Sequence, residues 1–498
     1  MPIDSPTILS TNNFKPLDEQ MKQYRENTFF SAVNRIPRYP EHASDKDKDH
    51  NAEIYTSGNT PHLDHLHVGR MSGYFDLELQ AHTPLIIGEQ TEKEKKRFIK
   101  VQKIEGKPFI SPSIIKGLLS STYERVTSSR FRIFDTPTHS TPLEYRAGKS
   151  RKRYTHTPYQ VAESAQVQPA QSHNEASAAE RLFGFVGKEE DTGAALRGRL
   201  KIGPVSISQD AIANNHKPIA LPPLLSPKPS SGRRFLFERS KSLDTEDSHL
   251  KRELLFNPRH FLLGEAAYPT HRSCIDQSLE AIIKKHCNSG GDLTSNESVE
   301  LHVESWIKEQ STLKCRIHFE DISLKELAFL LWPLVPENLS PNDKGGFGFL
   351  KIGIGKPLGL GLVTARIVNG FVYVQTTDEL TSGYKNLSCV LGIEYEEKSV
   401  SQLIFEANIG DLSTLPWIRA FQRIAYGFDD TEDTPVRYIN LEENKVNNET
   451  TDDGSPKYFA DSKWRAGRAP RSLWLEDAST ATDVFLTEVK TENANDNS

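Results

Sequence analysis

The clearest pattern along the chain is a run in which every second residue is apolar: Phe75, Leu77, Leu79 and Ala81 alternate with Asp76, Glu78 and Gln80. Successive strand side chains point to opposite faces, so this run, from Tyr74 onward, predicts a strand with one buried face. A helix is expected from Pro112, with Ser111 as N-cap and the proline in the first turn, where a missing N–H is tolerated. Ile114, Ile115, Leu118, Leu119 and Val126 form its apolar stripe. A polar, basic segment from about 127 to 173 follows, then a short helix near 178–185 and a strand over Arg199–Ile207.

Patterning is weak from about 208 to 310, where Pro, Ser and Gly cluster, and this stretch reads as an insertion. Beyond it, Cys315, Ile317 and Phe319 alternate with Arg316, His318 and Glu320, a second amphipathic strand. Ser323 and Glu326 have capping-box spacing, and Leu327, Leu330, Leu331 and Leu334 recur at helical spacing. Val363–Val368 and Phe371–Gln375 flank Asn369-Gly370, which predicts a hairpin.

With the insertions removed, the order is strand, helix, strand, strand, helix, strand: an α+β, ferredoxin-like (RRM-like) βαββαβ core. The strands show no RRM-style pair of aromatic motifs. The expected divisions are a partly extended arm over 1–70, a core over 71–384 with insertions at about 128–195 and 208–310, a mixed region over 385–475 and a flexible tail over 476–498.

Composition narrows the class. Of 498 residues, 36% are hydrophobic and 26% charged, and no apolar run approaches the roughly 18 residues of a membrane span. The N-terminus lacks the features of a signal peptide, and four cysteines do not make a disulfide framework, so a cytoplasmic protein is expected. The net charge of −6 hides a segregation: Lys93–Arg153 holds sixteen Lys/Arg against five Asp/Glu, and Asp429–Asp461 ten acids against three bases. A polyanion responds to the local field, so the basic stretch is a candidate footprint, with a solvated charged surface as the alternative.

Three segments could carry chemistry. Gly345–Gly361 has seven glycines in seventeen residues, with Lys351 and Lys356 among them. Such a loop either lets backbone approach a phosphate or makes a tight bend between sheet elements. Ser113, Lys116 and Gly117 open the first helix, where N–H groups suit an anion. His271, Cys274, His286 and Cys287 are the one set with zinc-ligand chemistry, although adjacent His286 and Cys287 are not a standard half-site.

Thr83–Gly88 (TPLIIG), Phe109–Leu119 (FISPSIIKGLL) and Gly355–Gly361 (GKPLGLG) resemble, in that order, signature elements of the RAMP superfamily of CRISPR-associated proteins, particularly backbone-type subunits of type III effector complexes. Ser111 and Pro112 stand where the family pattern has Pro and Gly. Arg181–Gly184 (RLFG) and Arg197–Leu200 (RGRL) add to the resemblance, which covers about residues 70 to 376 in patches.

The resemblance implies a subunit binding guide RNA, with complementary target RNA, other CRISPR subunits and copies of itself as partners, and no membrane. Contacts would come from Ser113, Lys116, Gly117, Lys351, Gly355, Lys356, Gly359 and Gly361, with Arg130, Arg132, Arg146, Lys228 and Arg233 as further candidates. A β-hairpin thumb would lie in the 208–310 insertion. RNA binding itself needs no cofactor. Target-cleaving relatives carry an aspartate after the first strand, but Gly88–Lys93 (GEQTEK) has none. Glu89, Glu92 and the more distant Asp135 are left as candidates to hold Mg²⁺ for cleavage, and the chain is read as leaning away from a nuclease. Two alternatives stand beside this: a metal-independent endoribonuclease processing precursor guide RNA, with His82 as general acid or base, and a terminal capping subunit using its acidic stretch against protein.

Overall fold

The structure is a computed structural model. It describes residues 28–36, 38, 51–58, 60–61, 64–94, 96–134, 141–147, 150–164, 166–187, 194–222, 236–238, 260–262, 264–288, 300–386, 395–428, 430, 436–437, 445–450, 456–458 and 486–488.

The alternating run is the middle of strand β1 (Met71–Ala81). Two short strands follow, β2 (Glu89–Lys93) and β3 (Lys96–Lys100). Helix α1 (Pro112–Val126) starts at Ser111 as expected, and α2 (Ala178–Phe183) and β4 (Leu200–Ile202) come next. Then come β5 (Ile212–Leu221), α3 (Leu279–Asn288), β6 (Leu301–Ile307), β7 (Thr312–Ile322) and α4 (Leu324–Leu331). The capping box of α4 is formed: Ser323 Oγ accepts from Glu326 N at 3.1 Å, and Ser323 N donates to Glu326 Oε2 at 3.0 Å. Strands β8 (Leu350–Lys351), β9 (Leu362–Ile367), β10 (Phe371–Thr376) and β11 (Glu396–Ser399) and helices α5 (Val400–Glu406) and α6 (Pro416–Tyr426) complete the framework.

In the main sheet β1 lies between β7 and β9, and β4 borders β7. The order is β4-β7-β1-β9, all antiparallel neighbours, so the second, third, first and fourth strands of the six-element unit stand side by side. This is the ferredoxin-like arrangement. Leu77 faces Cys315 on one side and Ile367 on the other; Leu79 faces Leu313 and Ala365. These residues share one core with Ile115, Leu119 and Tyr123 of α1 and Leu327 and Leu330 of α4.

The hairpin expected at Asn369-Gly370 does not form. Both β9 and β10 run antiparallel to β1, so they are successive parts of one broken strand. Ile367 lies opposite Leu77 and Tyr373 opposite Tyr74, so six steps on this strand match three on β1, and the excess bulges out. Asn369 and Gly370 supply the positive φ values the bulge needs, 58° and 73°. Ala365, Ile367, Val372 and Val374 all reach the same core.

The 208–310 stretch is also more ordered than its patterning suggests. Its β5 and β6 join β3 and β2 in a second sheet, order β5-β6-β3-β2, over a second core of Ile99, Leu221, Leu279, Ile282, Val303 and Trp306. Within the same stretch Leu236–Glu238 pairs antiparallel with His260–Leu262. Parts of the N-terminal arm pack too: Ile36, Ile54 and Tyr55 are buried, and Tyr55 meets Phe329 and Trp417 edge-on. Trp417 of α6 donates from Nε1 to the Val126 carbonyl at 3.0 Å, so the C-terminal region shares this core.

The two faces of β1 differ sharply in energetic weight. Phe75→Ala, at a fully buried site, is expected to lower unfolding free energy by about 3–5 kcal/mol. Its neighbour Asp76 forms an exposed two-point pair with Arg316 at 2.8 Å, and Asp76→Ala should cost less than about 1 kcal/mol. Urea unfolding midpoints of the two variants test this order.

Candidate nucleic-acid interface

The site is built on the N-terminal half of α1. Ser111 caps the helix, its Oγ 3.4 Å from Ser113 N and 2.7 Å from Ser113 Oγ. Residues three and four apart share a helix face, so Ser113, Lys116 and Gly117 lie together. Ser113 and Gly117 are exposed and Lys116 is half-buried. Gly117 sits in the helix interior, where glycine costs about 1 kcal/mol relative to alanine. A Cβ added there would meet nothing within 4 Å, so packing does not require the glycine.

Two cations meet on this face. Partial burial, and then the nearby Arg132, hold the Lys116 ammonium below the ordinary lysine range. Lys116 has no carboxylate partner among the described residues. Arg132 donates to Ser120 Oγ and to the Gly184 carbonyl at 3.2 Å, and its guanidinium lies 5.3 Å from the Phe183 ring centroid. It is thereby held beside Lys116 with part of its surface open.

The glycine-rich loop resolves in favour of packing. Gly361 N donates to the Pro84 carbonyl at 3.1 Å and Ile354 N to the Ile86 carbonyl at 3.0 Å, while Thr83 Oγ1 accepts from Leu362 N at 2.9 Å. Thr83–Gly88 is thus the seat of the loop. Gly355, Gly359 and Gly361 are buried with φ of 83°, 86° and 81°. A Cβ would lie 2.8 Å from Cys274 Sγ at Gly359 and 2.0 Å from the Ile352 carbonyl at Gly361. Leu358 and Leu360 between them plug the second core.

Several expected contacts are therefore internal. The Lys351 ammonium donates to Thr270 Oγ1 at 2.8 Å and to the Ile424 carbonyl at 3.4 Å. Burial, with Arg125 and Lys356 nearby, pushes it well below the lysine range. Lys356 is half-buried, its charge depressed by burial and by Arg125 and partly restored by Glu265. Arg130 is buried, with Nη1 3.4 Å from the Gln168 carbonyl. Asp135, Lys228 and Arg233 lie outside the described residues, as do the side chains of Arg146 and Cys287.

Glu89 and Glu92 sit in edge strand β2, opposite Lys100 and Arg97. Three residues apart on a strand, they point to opposite faces and cannot share one metal ion. His82 is tied to Thr364 Oγ1 through Nε2 at 2.9 Å, and its Nδ1 lies 3.9 Å from Asp276. Burial lowers its pKa, and Asp276 offsets part of that. His271, Cys274 and His286 do line one small cavity, together with Lys285 and Asp430. The Lys285 ammonium, 3.0 Å from Asp430 Oδ2, puts positive charge where a cation would sit, and burial pushes the Cys274 thiol up to about 12. Among the described residues no group of three ligating side chains is arranged to hold a metal.

One feature is invisible in the sequence. Tyr74 and Tyr373 stack on the open face of the main sheet at 4.8 Å and 17°, with Tyr395 edge-on and Arg316 4.2 Å from the Tyr74 ring centroid. The pair forms across β1 and β10, far apart in the chain, so no local motif announces it.

No family model matches the chain, and no curated protein matches it. Among solved structures it is similar to a chain of a "Type IV-B CRISPR Complex", with TM-score 0.23 and 12% identity over 59% of this chain and 90% of that one. It is also similar to Thermofilum pendens Csc2 (0.29, 10%, 76% and 92%) and to Methanopyrus kandleri Csm3 (0.26, 12%, 70% and 99%). Likeness at this level carries no function across.

Near the C-terminal end of α1, Arg38 bridges Glu124 and Glu265, and Arg125 makes a two-point pair with Glu265. Burial, opposed by Arg38 and reinforced by the charge of Glu265, pushes Glu124 up to about 7. A carboxyl raised in the folded state contributes stability that is complete below its ordinary 4.5 and is lost as pH rises through about 7. The urea midpoint of the wild type relative to that of Glu124→Gln, which mimics the protonated form, is therefore expected to fall as pH rises from about 4.5 to about 7.

Proposed function

We propose that this chain is a guide-RNA-binding subunit of a CRISPR ribonucleoprotein, holding the RNA backbone on the exposed face of α1. The observation that carries the reading is Gly117, a helix-interior glycine under open space, flanked by Ser113 and an ammonium without a carboxylate partner. A side chain there would obstruct an approaching backbone, and nothing in the protein's own packing needs its absence. The ordered RAMP-like motifs support the same reading, as does the ferredoxin-like strand order on which they are mounted. Contacts of this kind ignore base identity, which suits a scaffold whose specificity comes from pairing between guide and target. Neighbouring CRISPR subunits, copies of this chain and complementary target RNA are the partners that follow. Binding needs no metal, and Mg²⁺ would enter only if the RNA were cut.

The test is to purify the full chain gently from its native host and sequence the RNA that accompanies it. RNAs of uniform length with a repeat-derived end support the proposal; a chain free of RNA even when co-expressed with its neighbours overturns it.

A finer prediction concerns salt. Each phosphate contact on a single strand adds about 0.7 to the slope of log affinity against log salt. Lys116→Ala should reduce the slope for single-stranded RNA by about that amount. Lys351→Met, at the internal lysine, should leave it unchanged. Equal slopes in wild type and Lys116→Ala would remove Lys116 from the interface.

A further inference from the structure

The basic stretch just ahead of α1 takes no part in the site described above. Lys96–Lys107 holds five Lys/Arg against one acid, Glu105. After β3 the chain makes a second, smaller hairpin, Lys103–Ile104 against Lys107–Pro108. Its base is closed by Phe109 N, which donates to the Gln102 carbonyl at 2.8 Å. Val101 and Ile110, just outside that bond, are buried. Residues 103–108 are therefore an excursion between two fixed anchors, and every residue from Lys103 to Lys107 is exposed. Ile104, 50% exposed beside the turn, packs into neither the main core nor the second.

The ribbon has a defined shape. Glu105 and Gly106 make a two-residue turn with φ of 50° and 78°, the left-handed pair that matches the twist of a hairpin. Ile104 lies opposite Lys107 across the ladder, and Lys103 opposite Pro108. Side chains alternate between faces along a strand, so Ile104 and Lys107 share one face and Lys103 projects from the other. Neither lysine has an ion-pair partner among the described residues. Lys107 is four residues before Ser111, so its Cα lies within about 14 Å of the cap of α1.

We propose that this ribbon enters the groove of an RNA double helix formed on the bound strand, with Lys103 and Lys107 each meeting one of the two backbones. The inference rests on the RNA-binding reading above for its class of partner. The two-faced arrangement selects the duplex. A single strand lying on the protein meets one face of a ribbon and leaves the other lysine in water, whereas a groove has phosphates on both walls. Double-stranded RNA is recognised by shape and by backbone contacts across its wide, shallow minor groove, and such contacts ignore sequence. That groove displays 2′-hydroxyls, which can donate to the Glu105 carboxylate at the tip; against phosphate alone the same carboxylate would only repel.

The test is a salt titration of full-length protein on two probes, an RNA duplex of mixed sequence and one of its strands alone. Each phosphate contact on a double helix adds about 0.9 to the slope of log affinity against log salt. Lys103→Ala/Lys107→Ala should therefore reduce the duplex slope by about 1.8 and leave the single-strand slope unchanged. Both residues are exposed, so the variant should fold as the wild type does, which its urea midpoint checks. No duplex binding by the wild type, an unchanged duplex slope in the variant, or an equal fall on the single strand overturns the inference. So does loss of binding to phosphatidylserine–phosphatidylcholine vesicles with duplex binding intact, which would make the ribbon a membrane contact. Lys116→Ala, read on the single strand, keeps the two readings apart, because it alters the face of α1 without touching the ribbon.

Discussion

Strand β1 is hydrogen-bonded on both sides, to β7 along one edge and to β9 and β10 along the other. Its register leaves little freedom. A slip of one residue would exchange Phe75, Leu77, Leu79 and Ala81 for Asp76, Glu78 and Gln80 on the core face, against α1 and α4. Once that register is set, the exit of β1 is set too. Thr83–Gly88 must leave the sheet where Leu362 begins β9, and the hydrogen bonds from Leu362, Gly361 and Ile354 into this segment follow. The glycines of Gly355–Gly361 then answer to sterics, because the loop has to lie against backbone on one side and Cys274 on the other.

The same constraint sorts the cations. Near the loop, desolvation dominates: Lys351 ends on a hydroxyl and a carbonyl, and Lys356 is depressed toward neutrality by burial beside Arg125. On α1 the backbone stays at the surface, so Lys116 keeps access to solvent beside Arg132. A lysine in a glycine-rich motif and a lysine at a helix start look equally available as letters. What separates them is whether the element carrying them is a plug or an outer layer.

That distinction explains what could be read from the sequence. Local signals were sufficient where the physics is local: the alternation over Phe75–Ala81, the cap at Ser111 and the box at Ser323 and Glu326 each place their element correctly. Local signals failed where a distant partner decides. Asn369-Gly370 has hairpin chemistry, but the segments on both sides of it pair antiparallel with the same strand β1, so the turn is absorbed as a bulge. The weak patterning of 208–310 hides β5 and β6, which pair with each other across the length of that stretch and, through β6, with β3 far earlier in the chain. Arg130 looked like a basic surface residue until the fold closed over it. The stacked Tyr74 and Tyr373 had no signature at all, being adjacent only across strands.

At Gly117 helix propensity and the protein's own packing give no reason for a glycine. A helix that supports both Trp417 and the core leucines would gain from alanine there, and the structure offers room for it. Every glycine of the loop that lies against a neighbour has a reason inside the protein; Gly117 has none. A residue that is locally unfavourable and globally unneeded points outward, to something that comes close to the helix and has no use for a methyl group in the way. On the function proposed above, with the positive charge of Lys116 beside it, that something is a polyanionic backbone, met by shape and charge and not by sequence.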